Sequence, residues 1–185
     1  MSKNDMGKGK TLRKLAPRSR RWLNTCHVFF TSIWLGVAMS MNLIMLLNGN
    51  PASGEKAYVF NLSIKLLDDF LILPSVIGTV ITGLLISLMT DWGFFKYHWV
   101  AVKWIATFAL LISGSCWLLP CLNNLITLSR MHSVLFNKSL NYAYYRIMFI
   151  ILGNCQSIIL TFMVLLSVFK PGGRMRKGRI RTDGT

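Results

Sequence analysis

The sequence predicts an all-α polytopic membrane protein, an antiparallel bundle of four transmembrane helices. Three observations carry that prediction. The chain is 53% hydrophobic, with a mean hydropathy of +0.48. Its apolar residues fall in four blocks, each reaching the roughly 18–20 residues that a helix needs to cross hydrocarbon. The basic residues, in excess by a net charge of +15, crowd at the two ends of the chain. At 185 residues, length alone argues for one domain.

Residues 1–21 form a basic tail whose polar, Gly-bearing composition predicts disorder. Residues 22–170 form the membrane domain, with spans at about 24–47, 66–89, 99–122 and 146–169. Between the first two, "NGNPASGEK" punctuates a turn and opens an outer loop extending to about Lys65. Asp68 and Asp69 stand at the outer end of the second span, and Pro74 lies about two turns further on. The link "TDWGFFKYH" is short, which makes the second and third spans antiparallel neighbours. Pro120 falls near the end of the third span, and a segment at about Asn123–Tyr145 precedes the fourth. Residues 171–185 form a second basic tail.

Charge sets the orientation. Lys3, Lys8, Lys10, Arg13, Lys14, Arg18, Arg20 and Arg21 precede the first span. Lys170, Arg174, Arg176, Lys177, Arg179 and Arg181 come after the fourth. Basic residues beside spans stay on the cytoplasmic side, so an even number of crossings leaves both termini cytoplasmic. The expected location is the cell (inner or plasma) membrane, with the tails drawn to anionic lipid headgroups. No nucleic-acid partner is expected, because neither tail is long enough to hold a binding fold. Trp22, Trp92, Phe94, Phe95, Tyr97 and Trp99 are expected at the inner boundary, and Tyr142, Tyr144 and Tyr145 at the outer one. "SRRWL" resembles a twin-arginine export core, but the apolar run after it is too long for a signal peptide. Asn61-Leu-Ser63 and Asn137-Lys-Ser139 match the glycosylation sequon on the outer side.

Inside the spans, packing is the default reading for small residues. Gly36 and Ser40, Thr79 and Gly83, and Gly153, Ser157 and Thr161 offer ridges for close helix approach. Cys26, Cys116, Cys121 and Cys155 form no metal-binding or haem-attachment spacing. The polar residues carry more information, since an ionisable group within a span is a functional candidate. His27, Thr31, Trp34 and Met41 fall on one stripe of the first span; Lys103, Thr107, Gly114 and Trp117 share a side of the third. Asn154 and Gln156 lie near the middle of the fourth, and His98 just precedes the third. Each has a structural reading too: His27 bonded to a neighbouring helix, Lys103 snorkelling to the interface, His98 interfacial, Asn154 and Gln156 bridging helices. His132 lies in the outer segment, too distant to share a small site with His27.

Haem b best fits an imidazole in an apolar bundle, with His27 as axial ligand to the iron and Lys103 or the basic rim facing the propionates. A metal held by protein alone fits less well, for want of a second histidine or carboxylate on that stripe. Met39, Met41 and Met45 offer thioethers for Cu(I), or serve as ordinary core fillers.

These residues also carry a resemblance. "CHVFFTSIWLGVAMSMNLIM", with His27, Trp34 and Gly36, resembles the first helix of HemJ-type protoporphyrinogen oxidases. "ILPSVIGTVITGLLISL", "YHWVAVKWIATFALL" with Lys103, and "YYRIMFIILGNCQSIILTFMVLLSVFKP" with Asn154 are similar to the other three. The resemblance implies a four-helix bundle binding haem b through His27, with Lys103 essential, and oxidation of protoporphyrinogen as the activity. Lys103 is thereby the candidate catalytic residue, and Trp34 and Asn154 join the candidate cofactor pocket. The sequence departs from the family where Cys155 and Gln156, rather than an acidic residue, come after Asn154. It also lacks an arginine late in the first span, and His98 is five residues before Lys103. CopD-like domains and small uncharacterised membrane proteins resemble the same architecture. The alternative expectation is a non-catalytic membrane subunit, or one half of a transporter assembled as a homo-oligomer, with no cofactor.

Overall fold

The computed structural model describes residues 16–47, 53–89, 98–131 and 140–169, all but the first and Ser53 of them helical. Four long helices result. The first, α1, is Pro17–Leu47. The second, α2, is Gly54–Met89 and contains a π-helical turn at Asp68–Ile72. The third, α3, joins His98–Ser113, a π turn at Gly114–Leu118, and Leu119–Met131 without a break. The fourth, α4, is Leu140–Phe169. All four are long and apolar enough to cross a membrane, and among the described residues the protein is an all-α four-helix bundle. The tails outside 16–169, the connection at 91–97 with Trp92, Phe94, Phe95 and Tyr97, and His132 and Asn137 lie outside the described residues.

The distribution of side chains is that of a protein in lipid. Val28, Phe29, Ile77, Ile105, Ile158 and Phe162 are exposed on the outside of the bundle, whereas Asn42, Thr79, Thr82, Ser87, Thr107 and Ser157 are buried. Lipid is as apolar as leucine, so leucines gain little by hiding, and polar groups gain much by meeting one another. Hydroxyls inside the helices also bond their own backbone: Thr31 Oγ1 donates to His27 O at 2.7 Å and Thr107 Oγ1 to Lys103 O at 2.8 Å. This is an integral membrane protein.

The helices outrun the predicted spans. At 31 residues, α1 is about 46 Å long, well beyond the roughly 30 Å of hydrocarbon. Pro17 opens it, where a missing N–H costs nothing, so Arg18, Arg20 and Arg21 belong to its first turns rather than to a tail. Ser53 caps α2, its Oγ accepting from the Lys56 N–H at 3.3 Å. The outer loop expected to run to Lys65 is therefore helical from Gly54. Ala57, Asn61 and Ile64 are buried there at helical spacing, against Cys121, Leu122 and Leu125 in the last turns of α3. The polar residues between them hid this stripe from a hydropathy reading. Likewise 123–131 and 140–145, within the outer segment expected before the fourth span, continue α3 and begin α4.

Asn61 is fully buried, donating from Nδ2 to Leu125 O at 3.4 Å and to the Tyr142 hydroxyl at 3.3 Å. An asparagine held between helices is not presented for glycosylation, so that sequon is structural. Tyr142 leaves the aromatic belt for the same reason, while Tyr144 is exposed. Arg146 Nη2 donates to Met45 O at 3.3 Å, satisfying a carbonyl at the end of α1.

Around the bundle, α1 packs on the Leu73–Met89 part of α2 and on α4, and α3 packs on α4. The far parts of α2 and α3, Gly54–Leu67 and Leu119–Met131, also pack on each other. Their near halves scarcely touch, and Trp104 Nε1–H donating to Ser87 Oγ at 3.2 Å bridges them. We call "near" the end where α1 begins and α4 finishes, and "far" the opposite end.

Candidate functional site

The gap between the near halves of α2 and α3 is a cavity of about 390 Å³. That is a size typical of pockets for small organic molecules and cofactors. His27, Thr31 and Trp34 reach it from α1, Thr79 from α2, and Lys103 and Thr107 from α3. The structure thus brings together His27, Lys103 and Trp34, three residues contributed by two helices far apart in sequence.

The histidine tautomer is set by its neighbours. Thr82 Oγ1 lies 2.9 Å from His27 Nδ1 and 2.6 Å from Gly78 O. A carbonyl can only accept, so the single hydroxyl hydrogen of Thr82 goes to Gly78 O, and its oxygen accepts from His27 Nδ1–H. Nε2 is left with its lone pair. Gly83 makes room for this ring: a Cβ there would lie 3.3 Å from His27 Cε1.

Lys103 is fixed similarly. Its ammonium donates to Ser167 Oγ on α4, and Ser167 Oγ donates to Met163 O at 2.9 Å. One of three ammonium hydrogens is engaged there, so two remain for other acceptors. Thr79 Oγ1 is buried and has no hydrogen-bond partner. His27, Thr79 and the surplus ammonium donors of Lys103 therefore meet at one cavity whose remaining walls are largely apolar and aromatic.

Other candidates are placed elsewhere. Asn154 is absent from this cavity: its Nδ2 donates to its own helix at Ile150 O, 2.7 Å away. The bridge from α1 to α4 is made by Asn42, whose Nδ2 donates to Ser157 Oγ at 2.9 Å. Sequence reasoning missed Asn42 because it sits among methionines and leucines in an apolar stretch; a lone amide there was the available signal. Gln156 does bridge helices, its Nε2 donating to Leu110 O at 3.4 Å and to Ser113 Oγ at 2.8 Å. His98 is exposed at the start of α3. Trp117 is 51% exposed, off the side shared by Lys103 and Thr107, because the π turn at Gly114–Leu118 adds a residue and shifts the helical phase beyond it. Met39 is exposed while Met41 and Met45 are buried, so the three thioethers do not converge on a copper ion. Gly36 has nothing near its Cβ position, and carries no close helix contact. Gly153 is a close approach instead, where a Cβ would overlap Asn42 Oδ1, and so is Gly78, where it would meet the ring of Phe30.

A second cavity, of about 170 Å³, lies toward the far end, between the two π turns. Asp68 and Ile72 of one turn and Gly114 and Ser115 of the other line it, with Asn42 and Gln156. Trp34 and Leu110 bury their side chains against Val76, Leu160 and Met163 at the level between the two cavities, and Trp34 borders both. At 4% exposure, Trp34 is the partition between them.

No protein-family model matches the sequence, and neither a curated protein nor a solved structure is similar to it.

Proposed function

We propose that this is a haem b-binding membrane protein with a redox role, similar in kind to the HemJ-type proteins its helices resemble. The observation that carries the reading is the fixed tautomer of His27. With Nδ1–H held by Thr82, Nε2 offers its lone pair to the near cavity, as an axial imidazole must. Lys103 reaches the same cavity with spare donors suited to a propionate, and Trp34 and Trp104 supply flat apolar wall. Haem would supply one-electron exchange at this position. The chain's own contribution is to orient the ring of His27, neutralise a carboxylate with Lys103 and keep water out with its aromatic walls. The assignment of Lys103 to protoporphyrinogen oxidation rests on the resemblance, with both residues on one cavity as its support.

The basic residues flanking the near end support its placement on the cytoplasmic side of the cell membrane, against anionic headgroups. A second reading has its own observation. Two cavities stacked along the bundle and divided by Trp34 also suit a transport component, in which that side chain separates the two sides.

The test is the visible absorption spectrum of the purified full chain from a haem-replete host, beside His27→Ala. Near-stoichiometric haem in the wild type, lost in the variant, is expected. A folded, colourless wild type would remove the haem reading and leave transport.

A further inference from the structure

The far cavity has a chemistry of its own, independent of the haem reading. Its polar side chains are Asp68, Asn42, Gln156 and Ser115. Gln156 is oriented by Leu110 O, which can only accept, so its Nε2 faces that carbonyl and Oε1 points the other way. Asn42 is oriented by Ser157, whose hydroxyl hydrogen goes to Gly153 O at 3.0 Å and whose oxygen therefore accepts from Nδ2. Both amides commit donors to helix bridges; Asn42 Oδ1 lies against Gly153 of α4, and Gln156 Oε1 keeps its lone pairs. The π turns add to the set. Pro74 and Pro120 each stand two residues past a π turn and bring no N–H, so one carbonyl in each turn lacks its helical donor.

Asp68 completes the cavity as its only ionisable group among the described residues. The nearby cation, Lys65, forms its ion pair with Asp69 one turn along α2 and lies outside the cavity, although its charge also reaches Asp68. Around these acceptors the walls are Trp34, Phe149, Val76 and leucines. A carboxylate inside apolar and aromatic walls suits a ligand with a positive head and a hydrophobic body. An anion would meet the like charge of Asp68. A hydrated metal ion would face walls that offer its shell nothing, and no group of three metal-binding side chains occurs among the described residues.

We propose that the far cavity binds a small protonated amine with an apolar body, its ammonium held by Asp68. The π turns serve this by widening α2 and α3 at the same level, where Asp68, Gly114 and Ser115 line the cavity.

The experiment is calorimetric titration of the full chain in detergent micelles with 2-phenylethylammonium chloride, with empty micelles as blank. Saturable one-to-one binding is expected, and neutral 2-phenylethanol is expected to bind at least about tenfold more weakly. Asp68→Asn should weaken the cation by at least about tenfold, while Asp69→Asn, whose carboxylate is outside the cavity, binds like the wild type. Equal binding of alcohol and cation, or no saturable binding of the cation, would overturn the proposal; so would unchanged affinity in a folded Asp68→Asn. Displacement by sodium chloride but not by choline chloride at equal ionic strength would overturn it in favour of an inorganic cation. Should Asp68→Asn fail to fold, the comparison of cation with alcohol on the wild type decides alone.

Discussion

The near and far cavities occupy one bundle but are built by different means. The near one exists because two helices stand apart, and its reactive groups are side chains: His27 on α1 and Lys103 on α3. The far one lies where two helices carry π turns, and its polar side chains are Asp68, Asn42, Ser115 and Gln156. One presents a lone pair beside a cation, and the other a carboxylate beside amides. The contrast shows how a four-helix bundle gains two chemistries without extra elements: helix spacing makes one, and helix irregularity makes the other.

That contrast depends on the partition. Trp34→Ala should join the two cavities and cost about 3 kcal/mol or more, from lost packing in an already hollow interior. Chemical unfolding in micelles measures it, and a loss below about 1 kcal/mol would mean that Trp34 is not what divides them. The close approach of α1 to α4 beside the far cavity comes next. Gly153→Val should cost about 1–3 kcal/mol, because its side chain would drive Asn42 from the Ser157 bond. Gly36→Ala, with open space around it, should fall within about 0.5 kcal/mol of the wild type. Similar costs at the two glycines would refute the packing described.

A smaller effect separates the tautomer argument from simple filling of the near cavity. Thr82→Val keeps the shape but removes the acceptor for His27 Nδ1–H, so haem retention should fall by about tenfold with little change of fold. Haem titration of the variant reads this, and unchanged retention would show that His27 is oriented by something else. The smallest expected effect compares two asparagines on the bundle interior. Asn42→Ala should lose about 0.6 kcal/mol, the usual worth of an interhelical hydrogen bond in a membrane. Asn154→Ala, whose amide bonds only its own helix, should lose less; the reverse order would return the helix bridge to Asn154.

Much of this was legible in the chain and some was not, for definable reasons. The stripe His27–Thr31–Trp34 could be read because α1 is a regular helix, so spacing converts directly into a face. Along α3 the same reasoning put Lys103 and Thr107 on one side, as the structure has them, but failed at Trp117. A π turn lies between, and its extra residue breaks the period on which the stripe was counted. Pro74 and Pro120 were the visible markers of the two irregular turns, though a proline alone does not say how a helix accommodates it. The helical stretch at 54–65 was hidden by polar residues at its surface, and Asn61 looked like an exposed sequon until its partners on α3 and α4 were in place.

The sequence by itself determined the number of helices, their approximate extent and the concentration of positive charge at both ends. Those properties are local: hydropathy summed over a span and charge beside it do not depend on which helix lies next door. Only the tertiary structure decided which polar groups share a cavity. That depends on the rotation of each helix, on the phase shift at each π turn and on which glycine admits a neighbour. Thus His27 and Lys103 meet in one cavity, while Asn154 turns to its own helix and Asn42 takes the bridge to α4.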